Sequence, residues 1–183
     1  MDSSEYERIV GLFYESLYRF GLSLTRNPDE ACELTQETFC RLLTKGSQLR
    51  DQSKVKGWMF TTLYRIFLGW KRREVGLPHV DIESVDPASL SLAPTMVDEL
   101  DSTTVWNALL ELEERFRAPL VLFYLEDQSY REISALLDLP IGTVMSRISR
   151  GKAMLRQLLA AQAAGESDKV VPMAPKNLRS EQS

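Results

Sequence analysis

The sequence predicts an all-α protein of two small helical domains joined by an extended linker, the second containing a helix–turn–helix. Three observations carry this. Apolar residues recur at steps of three and four in both halves of the 183-residue chain, the period of a helix with one buried face. No segment shows the alternation of a half-buried strand. Between the halves, residues 77–101 hold Pro78, Pro87, Pro94, several serines and no sustained period, the composition of a linker. The expected divisions are 1–76, 77–101, 102–162 and a disordered tail over 163–183.

In the first domain Ile9, Phe13, Leu17, Phe20 and Leu24 line one helix face. Asn27-Pro28-Asp29-Glu30 restarts the chain: Asn27 suits the cap, Pro28 the first helical position, and Glu30 can reach back to the cap amide. The second helix is expected to bury Ala31, Leu34, Thr35, Thr38, Leu42 and Leu43, and to end at Gly46-Ser47. A third runs from about Val55 to Arg73. In the second domain Val105, Leu109, Leu112 and Phe116 mark one helix, and Pro119 is expected to open the next. Ser129-x-x-Glu132 is a capping box for a short helix that buries Ile133, Leu136 and Leu137. Pro140 forces a turn, and a last helix carries Val144, Ile148 and Leu155 inward.

Several functions are disfavoured by composition. No apolar run approaches the roughly 20 residues needed to cross a bilayer, and the acidic start Met1-Asp2-Ser3-Ser4-Glu5 is unlike a signal peptide. Cys32 and Cys40 stand about 12 Å apart on a helix, too far for a disulfide, so reduced thiols and a cytoplasmic location are expected. His79 is the only histidine, and no Cys-x-x-Cys or phosphate-binding glycine motif occurs. No catalytic residue, metal site, cofactor or small-molecule substrate is therefore expected.

The formal charge of −4 argues against nucleic acid only if it is spread evenly, and it is not. Residues 77–101 hold six acids and no base. Residues 52–73 hold six bases and residues 139–165 four, with no acid in either.

Three surfaces stand out. The helix–turn–helix at about 129–158 has the layout of a DNA reader. Its second helix offers Thr143, Met145, Ser146, Arg147, Ser149, Arg150 and Lys152, and arginine can hold guanine bidentately in the major groove. A solvated polar face is the bland alternative, which the one-signed charge disfavours. Residues 54–73 interleave Lys54, Lys56, Arg65, Lys71, Arg72 and Arg73 with Trp58, Phe60, Tyr64, Phe67 and Trp70. That mixture suits phosphate contact and base stacking, although at least half of the aromatics are expected in the core. Stacking a base on an aromatic ring returns about 1–3 kcal/mol, against about 1.4 kcal/mol per duplex step. Such a surface can hold a small bubble but not open a long one, which implies a larger partner. The third surface is the acidic second helix, with Asp29, Glu30, Glu33, Gln36, Glu37, Arg41 and a candidate exposed Phe39. By itself it reads as a solvated face or a protein-binding one.

Together these residues resemble the extracytoplasmic-function sigma factors of bacterial RNA polymerase, over about Leu12–Arg73 and Ala108–Leu159. The run Asp29-Glu30-Ala31-Cys32-Glu33-Leu34-Thr35-Gln36-Glu37-Thr38-Phe39-Cys40-Arg41-Leu42 looks like the helix that grips core polymerase. This implies contacts from Asp29, Glu33, Gln36, Glu37, Phe39 and Arg41. Lys56-Gly57-Trp58-Met59-Phe60, leading to Lys71-Arg72-Arg73, looks like the part that melts and reads the −10 element. This implies Lys54, Lys56, Trp58, Tyr64, Arg65, Lys71, Arg72 and Arg73. Leu139-Pro140-Ile141-Gly142-Thr143-Val144-Met145-Ser146-Arg147 is the most specific run and looks like the reader of the −35 element.

The family usually has Asn at Arg65, Asp at Gly69, and often Lys or Arg at Met145. The resemblance implies core RNA polymerase and promoter DNA as partners, and an anti-sigma factor is a common third. The acidic linker would pass through polymerase along basic residues. A free-standing helix–turn–helix regulator is the alternative, but no dimerisation heptad is evident. An adaptor that never meets DNA is a further one.

Overall fold

The computed structural model describes residues 3–46, 51–75 and 102–167. The expected linker 77–101, with His79, and residues 168–183 lie outside the described residues. Among the described residues there are seven α-helices and no strand. They are α1 (Ser3–Thr25), α2 (Pro28–Lys45), α3 (Val55–Val75), α4 (Ser102–Glu111), α5 (Glu114–Tyr124), α6 (Tyr130–Leu137) and α7 (Ile141–Ser167).

Helices α1, α2 and α3 pack on one another around Leu17, Phe20, Leu34, Leu42, Met59, Phe60 and Leu63, all buried. Ile9 and Leu24 are buried as the periodicity predicts. Asn27 caps α2: its Oδ1 accepts from the amides of Asp29 (2.9 Å) and Glu30 (3.3 Å), covering two of the orphan donors of a helix start. The expected return bond from the Glu30 carboxylate is replaced. The Asn27 amide donates to Thr25 Oγ1 at 3.2 Å, because left-handed Arg26 (φ 58°) folds Thr25 back over it.

The inner face of α2 is turned slightly from the expectation. Leu43 is 56% exposed and Phe39 only 5%. Leu43 stands about 100° around the helix from buried Leu42, and Phe39 fills the shoulder instead. Phe39 sits 6.3 Å from the Tyr6 ring and 6.2 Å from that of Tyr14. Cys32 and Cys40 are both free. A 3-10 turn, Gln52–Lys54, leads into α3. It is pinned by Asp51, which accepts from the Ser53 amide at 3.0 Å and its hydroxyl at 2.7 Å.

The second domain breaks its first helical stretch earlier than expected. The interruption falls at Leu112-Glu113, and Pro119 lies inside α5. Pro119 is the sixth residue of α5, where its missing N–H forfeits one bond near the helix start. The break is held by side chains instead. Arg117 Nη1 donates to the carbonyls of Leu110 (3.1 Å) and Leu112, and Arg26 Nη2 donates to Leu112 O at 2.6 Å. Leu110 lies in the last turn of α4 and Leu112 just past its end, where carbonyls are left without partners within the helix.

The capping box forms as predicted. The Ser129 amide donates to Glu132 Oε2 at 2.8 Å, and the Glu132 amide to Ser129 Oγ at 3.3 Å. Ser129→Ala should lower stability by about 1 kcal/mol, read as a shift of the urea midpoint at unchanged slope. The turn passes through left-handed Asp138 (φ 56°). The Ser134 hydroxyl closes it by donating to Leu139 O at 2.6 Å. Helix α7 crosses α5 at Gly151, where an added Cβ would meet Leu120 Cδ1 at 2.8 Å and Phe116 Cβ at 3.2 Å. No larger residue fits that crossing without displacing buried side chains. Helix α7 continues through Ser167, past the expected tail boundary at 163. Its end is rich in alanine, the best helix former, which outweighs Gly165.

Candidate nucleic-acid interface

Helix α3 divides its basic and aromatic residues between three surroundings. Phe60 and Phe67 are core, as are Met59, Leu63 and Ile66. Trp58, Tyr64 and Trp70 are half-buried and pack on that core. Lys54, Arg65, Lys71, Arg72 and Arg73 are exposed and Lys56 half-buried. Lys54 pairs with Asp51 at 3.6 Å, and Arg73 Nε donates to Gly69 O at 3.3 Å. Arg65, Arg72 and Arg73 thus stand on α3 without a bond to the second domain among the described residues. They form a charged face that a phosphate chain can follow.

In the helix–turn–helix, α6 packs on α7 through Ile133, Leu136, Leu137, Val144 and Ile148, all buried. The expected reading residues of α7 are graded. Ser149 and Arg150 are exposed; Thr143, Met145, Ser146, Arg147 and Lys152 are half-buried. Lys152 Nζ lies 5.8 Å over the Tyr124 ring. Arg147 Nε is buried without a hydrogen-bond partner among the described residues.

The two faces meet. Helix α1 packs on α5, and α3 on α6. Lys56 Nζ donates to Glu126 O at 2.7 Å, and Lys71 pairs with Glu114. The Glu126 carboxylate, 2% exposed, receives Arg19 Nη2 at 3.2 Å. Arg117 is also 2% exposed. Besides holding α4 it donates to the carbonyls of Ser23 and Leu24 (3.4 Å) at the end of α1. One guanidinium therefore closes the C-termini of two helices, where a cation is favoured. Burial pulls its pKa down to about 10, which leaves it charged at neutral pH. Tyr64 lies in the same seam. Burial, then the Glu114 carboxylate, raise its hydroxyl to about 12, with Arg147 opposing.

Burial also raises the Glu126 carboxyl, against the hydrogen bond from Ser16 and the charges of Arg19 and Lys56. Folding thus favours its protonated form: that stability is present below the ordinary carboxylate pKa and lost as pH rises through the raised one. Glu126→Gln, an uncharged isostere that keeps an acceptor for Arg19, should change stability by less than about 1 kcal/mol. Thermal denaturation at neutral pH checks this.

The acidic face of α2 stands apart from this seam, since α2 packs on α1 and α3. Asp29, Glu33 and Gln36 are exposed, and Glu37 pairs with Arg41 at 2.7 Å. Phe39 does not belong to that face. It is enclosed by Tyr6 and Tyr14, so its role is core packing.

Residues 9–75 match the family model described as Sigma-70 region 2, and residues 102–155 the one described as Sigma-70, region 4. The chain is 30% identical over 152 residues to the ECF RNA polymerase sigma factor EcfG of Rhodopseudomonas palustris, covering 81% of this chain and 82% of that protein. The chain belongs to the extracytoplasmic-function sigma factors. It is also 32% identical over 164 residues to the ECF RNA polymerase sigma factor SigE of Mycolicibacterium smegmatis, spanning 87% of this chain but only 63% of that relative's length. Among solved structures it resembles the sigma factor RpoE in complex with the anti-sigma factor NepR from Bartonella quintana. The TM-score is 0.65 and the identity 29%, over 85% of this chain and 97% of that one.

In sigma-factor terms, α1–α3 are region 2 and α4–α7 contain region 4. The contacts between the regions run through Arg19, Arg26, Glu114, Arg117 and Glu126, which no periodicity or motif in the sequence singles out. One signal was legible: Arg117 is a charge inside the apolar run Phe116–Tyr124, and such a charge is seldom buried without partners. Its partners are main-chain carbonyls, which no side-chain pattern announces.

Proposed function

We propose that the chain directs core RNA polymerase to promoters. In this reading α2 meets polymerase through Asp29, Glu33, Gln36, Glu37 and Arg41. Helix α3 meets the −10 element with Lys54, Lys56, Trp58, Tyr64, Arg65, Lys71, Arg72 and Arg73. Helix α7 enters the major groove of the −35 element with Thr143, Met145, Ser146, Arg147, Ser149, Arg150 and Lys152. One observation supports it above others: each domain carries an acid-free basic helix face, in domains that match sigma regions 2 and 4 in that order. The polymerase performs nucleotidyl transfer and supplies its metal ions. The setting is cytoplasmic; among the described residues no helix is long and apolar enough to cross a membrane.

Exposure separates the two arginines of α7. Arg150, which is exposed, is assigned to base edges, and Arg147, which is half-buried, to phosphate. Arg150→Ala should cost about 1–3 kcal/mol of promoter binding and relax preference in the −35 element only. Arg147→Ala should weaken all promoters nearly alike. Competition transcription on −35 point variants tests both. An equal loss from Arg150→Ala on every −35 sequence would make it a phosphate contact instead.

A further inference from the structure

The outward side of α7 is not uniformly polar. Ile141, its first residue, is 43% exposed, and Met145, one turn on, is half-buried. The buried residues Val144, Ile148 and Gly151 fix the inward direction of the helix. At about 100° per residue, Ser146, Ser149 and Arg150 all lie within about 50° of the opposite, outward direction. Met145 stands at one edge of that face, about 140° around the helix from Arg150, and Ile141 lies about 40° beyond Met145 on the same side. The face therefore has an apolar edge, two hydroxyls in the middle and a guanidinium at the other edge. The apolar edge is also the N-terminal part of α7, and in a helix–turn–helix the N-terminal residues of the second helix approach the base edges.

The chemistry of that edge selects its partner. Neither Ile141 nor Met145 carries a side-chain hydrogen-bond donor. Against guanine they would cover N7 and O6 without a partner, against cytosine the N4 amino group, and against adenine both N7 and N6. A polar group buried without a partner weakens the complex. Thymine alone displays an apolar group, its 5-methyl, in the major groove. Ile141 and Met145 are about 6 Å apart along the axis, within two base-pair steps of about 3.4 Å. No acid occurs over residues 139–165, so nothing on this stretch repels the phosphates that flank such a contact.

We propose that Ile141 and Met145 form a thymine-methyl site: one A·T pair of the −35 element is selected by packing the thymine 5-methyl group against these two side chains, beside the hydrogen-bonding edge of Ser146, Ser149 and Arg150. The inference rests on the sigma-factor reading and adds a base identity to it. Selection here works by packing and not by hydrogen bonds, so it is graded. Removing one buried methyl group corresponds to about fourfold in affinity.

The test uses holoenzyme assembled from the full chain and core polymerase. The −35 element is first selected from a randomised promoter library. Each of its thymines, on either strand, is then replaced by deoxyuridine, which removes the 5-methyl group and nothing else. Wild type should lose about fourfold in binding at one thymine. Met145→Ala should be indifferent to that replacement within about twofold, whereas Arg150→Ala should keep the full response. Met145→Leu, apolar and of similar size, should also keep it, and Ile141→Ala should reduce it. Met145→Arg should move the selected base at that position to guanine. Circular dichroism establishes that each variant keeps its helices. If wild type tolerates deoxyuridine at every thymine of the element, the proposal is wrong. It is equally wrong if folded Met145→Ala keeps the full response. A defined −35 element leaves the sigma-factor reading standing in both cases. Failure of any −35 element to emerge from the selection would overturn that reading, and the thymine site with it.

Discussion

Arg117→Ala should lower the unfolding free energy of the full chain by about 4 kcal/mol, a large share of the roughly 5–15 kcal/mol of an ordinary domain. The reason is the number of acceptors that depend on one side chain. The carbonyls of Ser23, Leu24, Leu110 and Leu112 all receive Arg117. Each acceptor left buried without a donor costs about 1–3 kcal/mol. Removing the desolvated guanidinium returns part of that, and Arg26 still reaches Leu112. Arg117→Lys should recover less than half of the loss, because a single ammonium cannot span two helix ends as the planar fork does. Urea unfolding followed by circular dichroism measures both. A loss below about 1 kcal/mol for Arg117→Ala would mean that water replaces the guanidinium without difficulty.

Replacing Arg65, Arg72 and Arg73 together by alanine should weaken promoter binding by holoenzyme about 100-fold at physiological salt. None of the three is bonded to region 4 among the described residues, so the change leaves the seam alone. If each neutralises one phosphate, binding loses three phosphate contacts. The slope of log affinity against log salt should then fall by about 2–3, with about 0.7–0.9 per phosphate. Carried from molar salt to 0.15 M, that slope corresponds to about two decades. Promoter binding titrated between 0.05 and 0.3 M salt is the check. An unchanged slope with reduced affinity would place these arginines away from the phosphate chain.

The helices were legible because their apolar residues keep one period from end to end. Leu17, Phe20 and Leu24 on α1, and Ile133, Leu136 and Leu137 on α6, lie where the pattern puts them. Local chemistry was equally legible: the Asn27 cap and the Ser129–Glu132 box need only residues a few places apart. The errors share a cause. Leu43 and Phe39 exchanged places because two aromatic neighbours, Tyr6 and Tyr14 on α1, recruit the Phe39 ring. Proline favours a helix start and Pro119 suggests one, while the actual break at Leu112-Glu113 is stabilised by Arg117 and Arg26. Arg26 reaches the break across 86 positions of sequence, and Arg117 ties it to the end of α1, 94 positions away; periodicity carries no such information. The candidate site shows the same division. Which residues are basic and on which helix was readable; that Lys56 and Lys71 would be engaged by Glu126 and Glu114 was not.

Transcription in vitro with purified core polymerase on a library of randomised promoters tests the central claim most directly. The chain should produce initiation from a narrow set of promoters sharing one −35 and one −10 sequence, and the free chain should bind those promoters poorly without polymerase. Tight promoter binding by the free chain, with no promoter-specific transcript when polymerase is added, would contradict the account and favour a self-sufficient helix–turn–helix regulator.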